Sequence, residues 1–103
     1  MVFTITTPLY YVNDKPHLGS AYTTLASDTL ARFKRLEGEK VIFITGVDEH
    51  GQKIERTALK NGISTIDHCD QICKEYLSLW EKLSITNDKF IRTTSLSHQE
   101  FVK

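Results

Sequence analysis

Residues 2–7, VFTITT, are β-branched and aromatic and stop at Pro8, a pattern that predicts a strand. From His17 or Leu18 the apolar positions recur at threes and fours: Leu18, Tyr22, Leu25, Ala26, Thr29, Phe33 and Leu36. That spacing predicts a helix, which Gly38 closes. The short continuous apolar run KVIFIT at 40–45 is that of a strand covered on both faces. Residues 46–51, with glycine at each end, read as a turn. A second helix is predicted over 52–60, closed by Asn61 and Gly62. A third runs from Ser64 to about Leu83 along the stripe Ile66, Cys69, Ile72, Cys73, Tyr76, Trp80 and Leu83. KFIRTT at 89–94 is another strand. Ser97 with Glu100 three residues later forms a capping box and opens a fourth helix. The sequence stops at Lys103, barely one turn on, as a fragment would.

Strand, helix, strand, helix is the order of a parallel-sheet α/β domain. The first unit, residues 2–45, is a βαβ crossover and should be right-handed. Parallel neighbours end on the same edge, so the loop at 9–16 and the turn at 46–51 should face one another. Ligands of open α/β sheets bind outside the carboxyl ends of the strands. The first of these loops, within PLYYVNDKPHLGS at 8–20, is longer than the usual connector of about 2–6 residues. It also carries chemically capable side chains, which is common where loops are functional.

A chain of 103 residues is one domain with one modest core, less than a complete α/β active site usually needs. Thirteen basic residues balance thirteen acidic ones, so net charge argues for neither nucleic acid nor an anionic membrane. No apolar run approaches the roughly 20 residues of a membrane span, and the N-terminus has no leader pattern. Two cysteines make no disulfide framework, which leaves the cytoplasm as the expected compartment. Cys69 and Cys73 fall on the buried stripe of the third helix, with His68 turned away from it. Trp80 shares that stripe and reads as core. Arg32, Lys34 and Arg35 read as a solvated helix face, and His98 has no evident partner.

Two stretches remain as candidate chemistry. In His17-Leu18-Gly19-Ser20 an imidazole stands at a helix start, where backbone N–H groups favour an anion such as phosphate. Gly19 would let a ligand approach the backbone closely. By itself the stretch reads first as an ordinary helix start. In GVDEHGQK at 46–53, Asp48, Glu49 and His50 cluster between glycines. A carboxylate there can hold an ammonium group, and two candidate ligands fall short of a metal site's usual three or four. This stretch, too, is consistent with a plain polar turn. Tyr10, Tyr11 and Asn13 add aromatic and polar groups of the kind that line ligand pockets.

TTPLYYVNDKPHLGSAYTTLASDTLARF followed by FITGVDEHGQKI resembles the start of the methionyl-tRNA synthetases, which are class I aminoacyl-tRNA synthetases. The resemblance covers nearly the whole chain and is strongest over residues 4–58. It implies that residues 1–103 are the N-terminal part of a Rossmann-like catalytic domain, the first half of a parallel-sheet nucleotide-binding fold, incomplete in this chain. It implies a ligase that activates methionine with ATP and Mg2+ to methionyl-adenylate, then transfers it to tRNA(Met). His17 and Gly19 match the first and third positions of the class motif His-x-Gly-His, which binds ATP phosphate and the transition state. Ser20 stands where the second histidine is usual, an allowed variant without a second imidazole. Leu9 and Tyr11 match positions that line the methionine pocket, and Asp48 matches the carboxylate that holds the α-ammonium. Asn13 and His50 are secondary candidates for the same pocket. The family's Lys-Met-Ser-Lys-Ser loop, any zinc knuckle and the anticodon-binding helices fall outside this chain, so the 103 residues alone are expected to be inactive. Two other readings stay open: a non-catalytic nucleotide-binding fragment, and a small cytidylyl-type enzyme sharing His-x-Gly-His, against which the tyrosine loop and the Asp48–Gly51 turn argue.

Overall fold

The computed structural model describes residues 2–12 and 15–102. In chain order it contains β1 (Val2–Thr6), β2 (Tyr10–Tyr11), α1 (Leu18–Leu36), β3 (Lys40–Asp48), α2 (Gln52–Lys60), α3 (Thr65–Lys82), β4 (Lys89–Arg92) and α4 (Leu96–Val102). All pairings are parallel and all run through β3. β1 lies along its first half, with Val2 opposite Lys40 and Thr6 opposite Ile44. β2 lies along its end, with Tyr10 opposite Val47 and Tyr11 opposite Asp48. The Ile44 and Asp48 carbonyls accept from Thr7 and Val12 and, four residues apart, point to one edge. The Phe43 carbonyl, which accepts from Asp88, points to the other edge, where β4 pairs. The sheet is therefore three lanes wide, and its first lane is interrupted at Pro8.

Gly46 belongs to β3, so the predicted turn at 46–51 begins later, after Asp48. A Cβ on Gly46 would sit 2.2 Å from the Ile91 carbonyl oxygen, so glycine is what lets β4 close on β3 there. Both crossovers step across the sheet in the same direction and place their helices on one face. Val41, Phe43, Thr45 and Val47 are buried on that face, while Ile42 and Ile44 opposite are half-buried. The covering of β3 on both faces, expected from its apolar run, is thus complete on one face only. Ile5, Ala31, Val41 and Phe43 form one cluster under α1. Val12, Val47, Ile54, Cys69, Ile72, Cys73, Tyr76 and Trp80 form a larger one under α2 and α3. The core reading of Cys69, Cys73 and Trp80 matches this. His68 does not turn away: it is buried, and its Nε2 donates to the Val12 carbonyl at 2.8 Å.

Helix α1 reverses the expected orientation. Its apolar stripe faces outward, with Leu18 85% and Leu36 87% exposed, while Ser20, Thr24, Asp28 and Ala31 are buried against the sheet. Small side chains allow close approach, and the polar ones find partners. The Thr24 hydroxyl meets the Tyr10 hydroxyl at 2.9 Å. Asp28 accepts from the Thr86 amide at 2.8 Å, from its hydroxyl at 2.6 Å and from Arg32 Nε at 2.7 Å. The basic residues of this helix are not simply solvated either. Arg35 donates to the Thr86 hydroxyl and carbonyl, and Lys34 lies 5.1 Å from the centre of the Phe3 ring.

Burial pushes the Asp28 carboxyl up, but the Thr86 hydroxyl and amide, with Arg32, outweigh it and hold it below its ordinary value. A depressed carboxyl contributes stability that is complete above its unfolded value of about 3.9 and is lost as pH falls through the folded one. Asp28→Ala is therefore expected to cost roughly 1.5–3 kcal/mol near neutrality. Denaturant unfolding of the pair should show that gap narrowing below about pH 4. A gap independent of pH would refute the assignment.

Ser64 caps α3, its hydroxyl accepting from Asp67 N. Helix α4 starts at Leu96, two residues earlier than a cap at Ser97 would place it, because Ser95 Oγ takes the capping contact from His98 N at 3.4 Å.

Candidate active site

The loop after β2 and the turn after β3 meet at the carboxyl edge, as their connectivity requires. The contact is visible at Gly51, whose φ is +131°: a Cβ there would lie 1.8 Å from the Tyr11 hydroxyl oxygen. The Tyr11 ring therefore packs directly over the acidic turn, and only glycine leaves it room. Tyr11 and Leu9 are each 39% exposed, so both present apolar surface at this edge. Tyr10 turns inward instead. It stacks on Tyr76 at 5.7 Å between ring centres and meets Trp80 edge-on at 6.0 Å. Asn13 lies outside the described residues.

His17 is the N-cap of α1. Its Nδ1 accepts from the backbone N–H of Gly19 at 3.0 Å and of Ser20 at 3.4 Å. A nitrogen that accepts carries no proton, so in the neutral ring the proton sits on Nε2, the other nitrogen. The expectation that Gly19 is there for a ligand changes accordingly. A Cβ on Gly19 would lie 2.8 Å from His17 Cε1, so the imidazole itself uses that space. Ser20 faces the sheet, and its buried hydroxyl has no hydrogen-bond partner among the described residues. No acidic residue stands in the first turn of α1.

Asp48 ends β3. Its Oδ1 accepts from His50 N at 3.2 Å and from the Thr93 hydroxyl at 3.4 Å. Its Oδ2 has no hydrogen bond among the described residues. His50 Nε2 donates to the Thr93 carbonyl at 3.2 Å, which fixes its tautomer, since a carbonyl can only accept.

Glu49 points the other way and its side chain is wholly buried. Arg92 grips it with Nε at 3.1 and 3.0 Å and Nη2 at 2.6 Å, and Nη2 also holds Asp70 at 2.6 Å. The Thr94 hydroxyl donates to the same carboxylate at 2.7 Å. A cavity of about 230 Å³ opens beside this turn, lined by residues including Glu49, His50, Gly51, Ile66, Cys69 and Thr94. Burial, with Glu49 nearby, pushes the Cys69 thiol up to about 11, which keeps it protonated and unreactive. Among the described residues no three His, Cys, Asp or Glu side chains gather to hold a metal ion.

Arg92 and Thr93 were not singled out by the sequence reading. The one local signal for them was the Thr-Thr pair closing a predicted strand, and the contacts that matter span 43 to 45 residues.

Topology and loops together define an α/β protein of the parallel-sheet class, with the loop after β2 and the turn after β3 together at the carboxyl edge of the sheet. The chain belongs to the tRNA synthetases class I (M), whose family model matches residues 3–103. It is 59% identical over 101 residues to the chloroplastic/mitochondrial methionine–tRNA ligase of Arabidopsis thaliana, covering 98% of this chain and 16% of that protein. It is 60% identical over 100 residues to the methionine–tRNA ligase of Thermosynechococcus vestitus, covering 97% and 19%. It is also similar to the solved structure of Mycobacterium tuberculosis methionyl-tRNA synthetase in complex with methionyl-adenylate. There the identity is 40% and the TM-score 0.94, over 96% of this chain and 19% of that one. The sheet is thus the N-terminal Rossmann-like region of such a synthetase, incomplete in this chain, which spans about a fifth or less of the relatives it matches.

Proposed function

We propose that this chain is the N-terminal part of the catalytic domain of a methionine–tRNA ligase, which joins methionine to ATP as methionyl-adenylate and passes it to tRNA(Met). The observation that carries this reading is Asp48, paired with Tyr11 across β2 and β3, whose Oδ2 makes no hydrogen bond among the described residues. A carboxylate with one oxygen tied to protein and the other free is a receptor for an ammonium group. An aromatic face and the Leu9 side chain next to it suit a thioether. In activation, a methionine carboxylate oxygen bonds to the α-phosphorus of ATP, and the bond to the departing pyrophosphate breaks. Negative charge grows on the phosphoryl oxygens, and His17 Nε2–H is the donor aimed outward from the helix start. The end of the loop away from the tyrosines, from His17 to Ser20, would hold the ATP. Mg2+ bound with ATP finds no carboxylate in the first turn of α1, so the phosphates themselves would carry the ion there. Any zinc, the second phosphate-binding loop and most tRNA contacts belong to the parts of the ligase beyond these residues. Among the described residues no helix is long and apolar enough to cross a membrane. The cytoplasm is the proposed setting, although the Arabidopsis relative is named for organelles.

The test is ATP–pyrophosphate exchange by the full-length ligase that carries this sequence. Methionine should stimulate it and cytidine compounds should not. Asp48→Ala should raise the KM for methionine by about tenfold or more, with ATP little affected, since hydrogen bonds to charged groups contribute roughly 1.5–3 kcal/mol. An unchanged methionine KM would remove Asp48 from the pocket.

A further inference from the structure

We propose that Thr93 is the positioning residue of the amino-acid site, the group that sets the direction of the Asp48 carboxylate; this rests on the reading of Asp48 as the ammonium receptor. Thr93 follows β4 and is 5% exposed. Its hydroxyl accepts from Glu49 N at 2.8 Å. With the lone pair engaged there, the hydroxyl proton points away from Glu49 N, toward Asp48 Oδ1 at 3.4 Å. The Thr93 carbonyl accepts from His50 Nε2, and His50 N returns to Asp48 Oδ1. Asp48, His50 and Thr93 thus form a closed ring in which both protein contacts fall on Oδ1. Oδ2 is the oxygen left to face the ligand. The anchor of the ring is rigid because the residues on either side of Thr93, Arg92 and Thr94, both bind the buried Glu49 carboxylate.

The experiment compares Thr93→Val, Thr93→Ala, Thr93→Ser and Asp48→Ala in the full-length ligase by pyrophosphate exchange, with melting temperatures in parallel. Valine keeps the shape and removes the hydroxyl. It should raise the methionine KM about fivefold, with kcat and the ATP KM within about twofold. Serine restores the hydroxyl and should return the methionine KM to within about twofold of the parent. Adding Thr93→Val to Asp48→Ala should change the methionine KM no further, because the group it orients is gone. If valine fails to fold, alanine removes the same hydroxyl with less bulk and carries the comparison with serine. An effect of Asp48→Ala with none from Thr93→Val or Thr93→Ala overturns the positioning role alone. No effect of Asp48→Ala overturns the ammonium reading and the positioning role together. Equal shifts of kcat and both KM values in the valine and serine variants would mark Thr93 as structural and also overturn the proposal.

Discussion

His17→Ala is expected to slow methionine-dependent pyrophosphate exchange by about 100- to 1000-fold, with the methionine KM close to that of the parent. The ring has two separable jobs. Nδ1 caps the helix through Gly19 and Ser20, and Nε2–H faces outward as a donor. Alanine removes both, and the lost cap alone should lower stability by about 1 kcal/mol. His17→Asn separates them, because asparagine is a good N-cap but cannot place a donor where Nε2 stands. The expected pattern is a slow, less stable alanine variant and a slow but stable asparagine variant. Single-turnover adenylate formation with thermal melts on both reads this directly. An asparagine variant with exchange near the parent rate would show that His17 serves the helix and not the phosphate.

Arg92→Leu is expected to destabilise the domain by roughly 3–5 kcal/mol, the largest effect on stability among the substitutions considered. Glu49 has no exposed side-chain surface, so without Arg92 it becomes a buried charge held only by Thr94. The double variant Glu49→Leu with Arg92→Leu should recover much of the loss, since it no longer leaves the buried Glu49 charge without its partner. Denaturant unfolding of the two single variants and the double one provides the cycle. Single-variant losses under about 1 kcal/mol would mean that water reaches Glu49 and the pair is not a lock. Because Arg92 and Thr94 flank Thr93, the stability of this pair and the geometry of Asp48 are linked through one short stretch of chain.

The sequence by itself determined the parallel βαβ order and the placement of two unusual loops at one edge. These depend on local signals: β-branched runs, helical spacing, and punctuation by Pro8, Gly38 and the Asn61–Gly62 pair. Facing loops then follow from connectivity alone, and the fit of Tyr11 over Gly51 agrees with it. The position of His17 at a helix start was legible for the same reason, whereas Asp48, read from the sequence as part of the turn at 46–51, proves to be the last residue of β3.

What only the tertiary structure decided is which groups those elements bring together. Helix α1 carries two stripes, and hydrophobicity favours Leu18, Tyr22, Phe33 and Leu36. The sheet instead takes Ser20, Thr24, Asp28 and Ala31, because Tyr10 and Thr86 supply partners that lie 14 and 58 residues away. Gly46 looks like a turn residue until Ile91, 45 positions on, comes close enough to forbid a side chain. Glu49 and Thr93 look like ordinary polar residues until β4 lies beside β3 and shuts out water, and Arg92 becomes the partner of the buried Glu49 only then. A contact between distant residues leaves no periodic trace in either segment. Its energy arises from burial and geometry that exist only once the strands have paired.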